Sequence, residues 1–340
     1  MNSSASRSPV AYALTDDGLR LPVIDVTRPE FALPDDPHAI AALDVAYREA
    51  ERRNALMPRF VMRFMMRSGA RRSRLLADII EPDTSYLAGL TTYVMKLGVE
   101  NLPPPFTADI DRRIAGSPQA TAVRLRLQQT AKLIAAGLEP LLAGNPSAPL
   151  VLINIGGGPA IDSLNALILL RRSQSGLLQR PTAIEVLDLD AAGPRFGAAA
   201  LAALSAEGQP LAGLDITFAH EIYDWNRRAL LGDRVHRASA QGAILAAASE
   251  GALFEYGSDD AIVANLATLR GRSLPGGGAK VVVGSVTSAD PLRQQSLAGS
   301  RFKLVPRGRD GFRPLAERGG FHIARSETVP LGDQVLLCPA

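Results

Sequence analysis

One ten-residue stretch, Pro149 to Gly158 (PLVLINIGGG), constrains the fold more than any other part of this 340-residue chain. An apolar run that ends in three glycines and passes into AIDSLNALILLRRS reads as a strand, a tight turn and a helix. The order then recurs. TAIEVLDLD is a second apolar run ending in acids, followed by GPRFGAAALAALSAEG. LDITFAHEIYDW is a third strand and GAILAAASEG (Gly242 to Gly251) a fourth. DDAIVANLATLRGRSLPGG reads as helix then turn, and AKVVVGSVTS as a fifth strand. Strands alternating with helices imply a parallel sheet covered on both faces. FRPLAERGG is a short helix, and FHIARSETVPLGDQVLLCPA closes with two strands joined near Gly332-Asp333. With no helix between them, that pair must be an antiparallel hairpin.

Residues 1–145 follow a different pattern, almost all helical, and are expected to form a cap or lid domain apart from an α/β domain at 146–340. Leu19 to Phe31 (LRLPVIDVTRPEF) is punctuated by prolines and reads as an extended arm. Asp36-Pro37 supplies a cap and a first-turn proline for a helix. Pro58 opens a second, in which Arg59, Arg63 and Arg67 recur every four residues. Phe60, Val61, Phe64 and Met65 are expected opposite them, with Gly69 beyond the end. Asp83 caps a third helix that stops at Gly98, Pro103 to Pro105 form a stiff connector, and Ser117-Pro118 starts a long helix to about Gly144.

Composition narrows the function classes. Hydrophobic residues make up 46% and charged ones 21%, enough for a proper core. The 37 basic residues include only four lysines, and the surplus over 34 acids is three, far from a nucleic-acid-binding signature. Cys338 is the single cysteine, which excludes a disulfide framework and a cysteine zinc site. His38, His220, His236 and His322 lack metal-ligand spacing, so no metal is expected. No apolar run reaches the ~18 residues of a membrane span, and the N-terminus lacks a signal-peptide core. These features read as a soluble, cytoplasmic protein.

Taken in order, the later motifs resemble the class I S-adenosylmethionine (SAM)-dependent methyltransferase family over about residues 147–340. NIGGGPA (Asn154 to Ala160) is similar to the family's first motif, and the acid closing EVLDLD to its ribose-binding acid, placed at Asp188 with Asp190 second. HEIYDW is similar to the third motif. The run from Ser249 through the helix to Pro275-Gly276-Gly277, and the terminal hairpin, also match. A nicotinamide fingerprint fits less well, because Ile161 stands where its third glycine belongs.

The resemblance implies a Rossmann-like sheet, parallel with a C-terminal antiparallel hairpin, and SAM as cofactor. It implies SAM contacts at Asn154, Gly156, Gly157, Gly158, Asp188, Asp224, Trp225, Ser249 and Glu250. Phe254 and Tyr256 are expected in a loop facing the sulfonium, whose charge an aromatic face attracts. Tyr223, Tyr86 and Tyr93 join Phe254 as substrate-pocket candidates. Glu250, His220 and Tyr256 are the catalytic candidates. A helical cap suits a small-molecule acceptor, in secondary metabolism, better than nucleic acid or a protein; no membrane partner is expected, and the assembly admits a homodimer. One position departs from the pattern. Asn154 stands where the family has an acid that helps hold the methionine ammonium. A neutral amide no longer favours that charge, which is either drift or suited to an enzyme that uses SAM's own amine as nucleophile. The alternatives are thus a SAM cyclase or lyase releasing methylthioadenosine, like azetidine-2-carboxylate synthases, and a SAM-binding protein without turnover.

Overall fold

A computed structural model describes residues 9–80, 87–271, 280–298 and 300–340. The helical half contains α1 (Pro37–Ala55), α2 (Arg59–Ala70), α3 (Arg74–Ile80), α4 (Gly89–Lys96), α5 (Asp109–Ala115) and α6 (Pro118–Gly144). A two-stranded ribbon, β1 (Tyr12–Leu14) and β2 (Arg20–Pro22), precedes them. Asp36 caps α1 by accepting from the His38 and Ala39 amides, and Ser117 caps α6 by accepting from Ala120. Both helices begin with proline, whose missing N–H costs nothing in a first turn.

Beyond residue 149 the order is β3 (Leu150–Ile155), α7 (Ile161–Ser173), β4 (Thr182–Asp188), α8 (Ala192–Leu204), β5 (Ile216–Ile222), α9 (Ala229–Ala240) and β6 (Ile244–Ser249). It continues through α10 (Leu253–Tyr256), α11 (Asp259–Arg270), β7 (Lys280–Thr287), α12 (Pro291–Ala298), α13 (Gly308–Arg318), β8 (Phe321–Val329) and β9 (Gly332–Pro339). The seven-stranded sheet runs β5-β4-β3-β6-β7-β9-β8. The first five strands are parallel, and β9 enters antiparallel between β7 and β8. This is the Rossmann-like sheet, parallel with a C-terminal antiparallel hairpin, that the sequence leads one to expect. Every residue of β3 and β6 is buried, as expected for central strands covered on both faces.

The long helix α6 belongs to this core. Leu127, Leu133, Ile134, Leu138 and Leu142 share one cluster with strand residues such as Leu150 and Leu152. At Gly137 a Cβ would lie 2.9 Å from the Leu336 side chain, so only glycine lets the helix approach the sheet this closely. The N-terminal arm is extended, and it is also deeply buried at Leu21, Val23, Ile24 and Phe31. Side chains there replace a partner strand. The Tyr93 hydroxyl accepts from the Ile24 amide at 3.1 Å and donates to the Pro22 carbonyl at 2.6 Å. Asn165 accepts from the Val26 amide at 2.8 Å and donates to the Ile24 carbonyl at 3.0 Å.

Helix α2 differs from its expected orientation. Gly69 lies within it, buried against Leu76 and Ile110. Phe60 and Phe64 are 76% and 72% exposed and share the solvent face with Arg63 and Arg67, while Met65 is also exposed. The physical reason is the 100° step of the helix: residues 60, 63, 64 and 67 fall within one half-turn. Helices α3, α5, α9, α10 and α12 are additional to the sequence reading. Asp83 and Pro275-Gly276-Gly277 lie outside the described residues.

Candidate functional site

The carboxyl ends of β3, β4, β5 and β6 meet where the strand order reverses, with β3 leading outward to β4 on one side and β6 on the other. Open α/β sheets bind ligands at such a crevice. The turn after β3 is left-handed at Gly156 (φ 64°), Gly158 (φ 50°) and Ala160 (φ 52°). It is also closely packed. A Cβ on Gly156 would stand 2.6 Å from the Ala252 Cβ and 3.4 Å from the Trp225 ring, and one on Gly158 would stand 3.2 Å from the Gly89 Cα. Gly157 is pressed on Asn154, where an added Cβ would lie 2.5 Å from the Asn154 Cβ. The first turn of α4 and the segment after β5 therefore both rest on the glycine turn.

Asp188 ends β4 and ties the turn down. Its Oδ2 accepts from the Gly158 amide at 2.8 Å and its Oδ1 from the Asp190 amide at 2.9 Å. Burial pushes its carboxyl above the usual range. Each oxygen retains a lone pair for a ligand hydroxyl. Asp190 instead accepts from the Ala192 amide and secures the start of α8. Asp224 accepts from the backbone and side chain of Asn226, and Trp225 is held through its carbonyl by Asn265.

Asn154 is fully buried and bonded at both ends. Its amide Nδ2 donates to Asp162 Oδ1 at 2.9 Å, and its Oδ1 accepts from the Ser163 hydroxyl at 2.9 Å. Asp162 Oδ1 also accepts from the Ser163 amide at 2.8 Å, whereas Oδ2 has no partner. Burial, then the neighbouring Glu250 carboxylate, pushes Asp162 up to about 6. Asn154 thus faces a carboxylate carried by the second residue of α7. Motif spacing did not point to Asp162, since helix starts commonly carry Asp for capping alone.

Glu250, just past β6, pairs with Lys96 from α4 and with Arg126 Nε from α6 at 2.6 Å. Arg126 reaches on to Glu255 at 3.3 Å. Burial opposes ionisation of Glu250, but Lys96 and Arg126 outweigh it and hold the carboxyl down at about 2. A carboxylate held so low is a poor proton acceptor at neutral pH. Lys96 and Arg126 were invisible to motif reading, because they lie 154 and 124 residues from their partner.

Three pocket candidates sit in the core. Phe254 packs on Phe312 with ring centroids 4.8 Å apart and occupies the space beside Gly284, in the one-turn helix α10 rather than a loop. Tyr223 is buried and donates to Asn265 Oδ1 at 2.7 Å. Tyr93 braces the arm and packs on Phe196 at 4.7 Å. Each fills space or closes a hydrogen bond within the fold. Tyr86 lies outside the described residues. Burial, then Glu255, pushes the Tyr256 hydroxyl up to about 12. His220 Nε2 lies 3.1 Å from the Asp188 carbonyl, on an edge strand, and so donates to it. Ser249 accepts from the Leu253 amide and donates to the Ile155 carbonyl, joining β6 to β3. Among the described residues no group of three or more His, Cys, Asp or Glu side chains is placed to hold a metal, and no helix is long and apolar enough to cross a membrane.

No family model and no curated protein sequence matches the chain. Several solved structures are similar to part of the chain. TnmH is 16% identical over 65% of this chain and 57% of its own, with a TM-score of 0.38. An O-methyltransferase of neocarzinostatin biosynthesis (NcsB1), solved with S-adenosyl-L-homocysteine and 1,4-dihydroxy-2-naphthoic acid, is 15% identical over 67% of this chain and 58% of its own, TM-score 0.38. Human N-acetylserotonin methyltransferase in complex with SAM is 12% identical over 71% of this chain and 61% of its own, TM-score 0.37. The matched part spans less than two thirds of these chains.

Proposed function

We propose that the chain binds SAM at the crevice between β3, β4 and β6 and transfers its methyl group to a small molecule. The observation that carries this reading is the 2.8 Å bond from the Gly158 amide to Asp188, which locks a glycine turn against an acid at the reversal of strand order. A carboxylate there accepts two hydrogen bonds from a ribose diol, and glycines let backbone approach the ligand. Gly156, Gly157 and Gly158 form the floor, Asp188 holds the ribose, and Asp224 and Trp225 edge the base. Ser249 and Glu250 border the amino-acid end. The fit of the residues to the cofactor rests on the acid that closes this turn and on the orphaned carboxylate oxygen of Asp162. SAM supplies an electrophilic methyl on a sulfonium.

The protein's own contribution is alignment and exclusion of water. Residues 1–145 act as the cap: α4 lays Gly89 on the turn and sends Lys96 to Glu250, and α6 contributes Arg126. Glu250 serves to fix those two cations. The cyclase alternative is weakened, because Asn154 faces a carboxylate and, of its aromatic cluster, Phe254 and Tyr223 are core residues and only Tyr256 is half-buried. The test is to incubate the pure protein with SAM, alone and with phenolic or amine acceptors, and identify the nucleoside. S-adenosylhomocysteine formed only with an acceptor supports the reading. Methylthioadenosine formed without one overturns it.

A further inference from the structure

We propose that Asp162 is the residue that holds the cationic amine of the ligand's amino-acid end, an inference that rests on the SAM reading above. Asp162 follows the glycine turn as the second residue of α7 and is bonded across to Asn154 on β3, which sets it at the reversal point of the sheet. It is 2% exposed, and one of its two carboxylate oxygens has no hydrogen-bond partner. A buried carboxylate oxygen without a partner is costly, so such a group marks a place where a donor arrives. The nearby cations are already engaged: Lys96 pairs with Glu250, and Arg126 with Glu250 and Glu255. Asp162 forms no ion pair with any described residue, so a ligand ammonium is the donor that completes it.

The same geometry explains Asn154. An acid at that position would face Asp162 Oδ1 at the 2.9 Å now spanned by the amide hydrogen bond. Two carboxylates at that distance cannot both stay ionised. With the acid carried by α7, its neighbour on β3 must be a donor, and Ser163 fixes which way the amide points by donating to its oxygen. The pair is therefore one acid and one amide whose places can be exchanged.

The experiment is calorimetric titration with S-adenosylhomocysteine and, separately, with methylthioadenosine, which keeps the nucleoside and thioether but lacks the amino-acid tail. In Asp162→Asn, affinity for S-adenosylhomocysteine is expected to fall at least about tenfold through loss of a charge-assisted hydrogen bond. Methylthioadenosine affinity should stay within about twofold, within the scatter of additive effects. The exchanged pair, Asn154→Asp with Asp162→Asn, should recover most of the loss. Equal binding of S-adenosylhomocysteine by wild type and Asp162→Asn overturns the inference alone, as does an equal loss of both nucleosides. A wild-type protein that binds neither nucleoside overturns the SAM reading and the inference with it.

Discussion

At the scale of single residues, Asn154 and Asp162 form a matched pair whose protonation has a direction. Burial raises the folded-state value of Asp162 from an ordinary 3.8 to about 6. Between those values the folded protein binds more protons than the unfolded chain, so stability falls as pH rises through that window. Asp162→Asn should therefore raise the denaturation midpoint of the ligand-free protein more at pH 7.5 than at pH 4, by roughly 1–3 kcal/mol. A gain of equal size at both pH values would contradict the assignment. Asn154→Asp should do the reverse, losing about 1–3 kcal/mol at pH 7.5 and little at pH 4, because it adds a second acid to the pair. Urea denaturation at the two pH values measures both. In the sequence Asn154 reads as a departure from the family pattern. Its meaning depends on a hydroxyl, a carboxylate and a helix start that motif spacing does not connect.

At the scale of elements, α4, α6 and β6 are joined by one buried charge network of Lys96, Glu250, Arg126 and Glu255. Glu250→Gln leaves two buried cations undercompensated and should cost about 3–5 kcal/mol, read by chemical denaturation. A change below about 1 kcal/mol, the scale of an exposed pair, would contradict the network's role. Tyr93→Phe removes both hydrogen bonds that pin the arm at Pro22 and Ile24, an expected loss of about 1–3 kcal/mol. Strands β3, β4, β6 and β7 were legible because each is a short apolar run bounded by glycine or acid, and helices α1 and α6 because Asp36-Pro37 and Ser117-Pro118 stand at their starts. Helix α10 is a single turn and α12 has no buried residue, so neither leaves an apolar stripe to read. In α2 the repeat of Arg63 and Arg67 was legible but its polarity was not. Phe60 and Phe64 lie beside those arginines on an exposed face, contrary to the usual segregation of apolar and charged residues.

At the scale of the molecule, the helical half and the sheet share one core, since α6 packs its apolar face on β7 and β9 and the arm lies buried in the same cluster. A fragment of residues 146–340 should therefore expose a broad apolar surface, bind hydrophobic dyes and lose near-ultraviolet dichroism. A soluble fragment with native dichroism would contradict that packing. The reach of the proposed site across the chain follows from the same arrangement: the glycine turn follows β3, Asp188 ends β4, and the two cations that hold Glu250 come from helices 154 and 124 residues before it. The most direct measurement is calorimetric titration of SAM into the wild-type protein and into Asp188→Ala. The wild type should bind, and the variant should bind about 1.5–3 kcal/mol more weakly, the worth of hydrogen bonds to a charged group. Absence of binding by the wild type, or an unchanged affinity in Asp188→Ala, would contradict the assignment of this crevice to SAM.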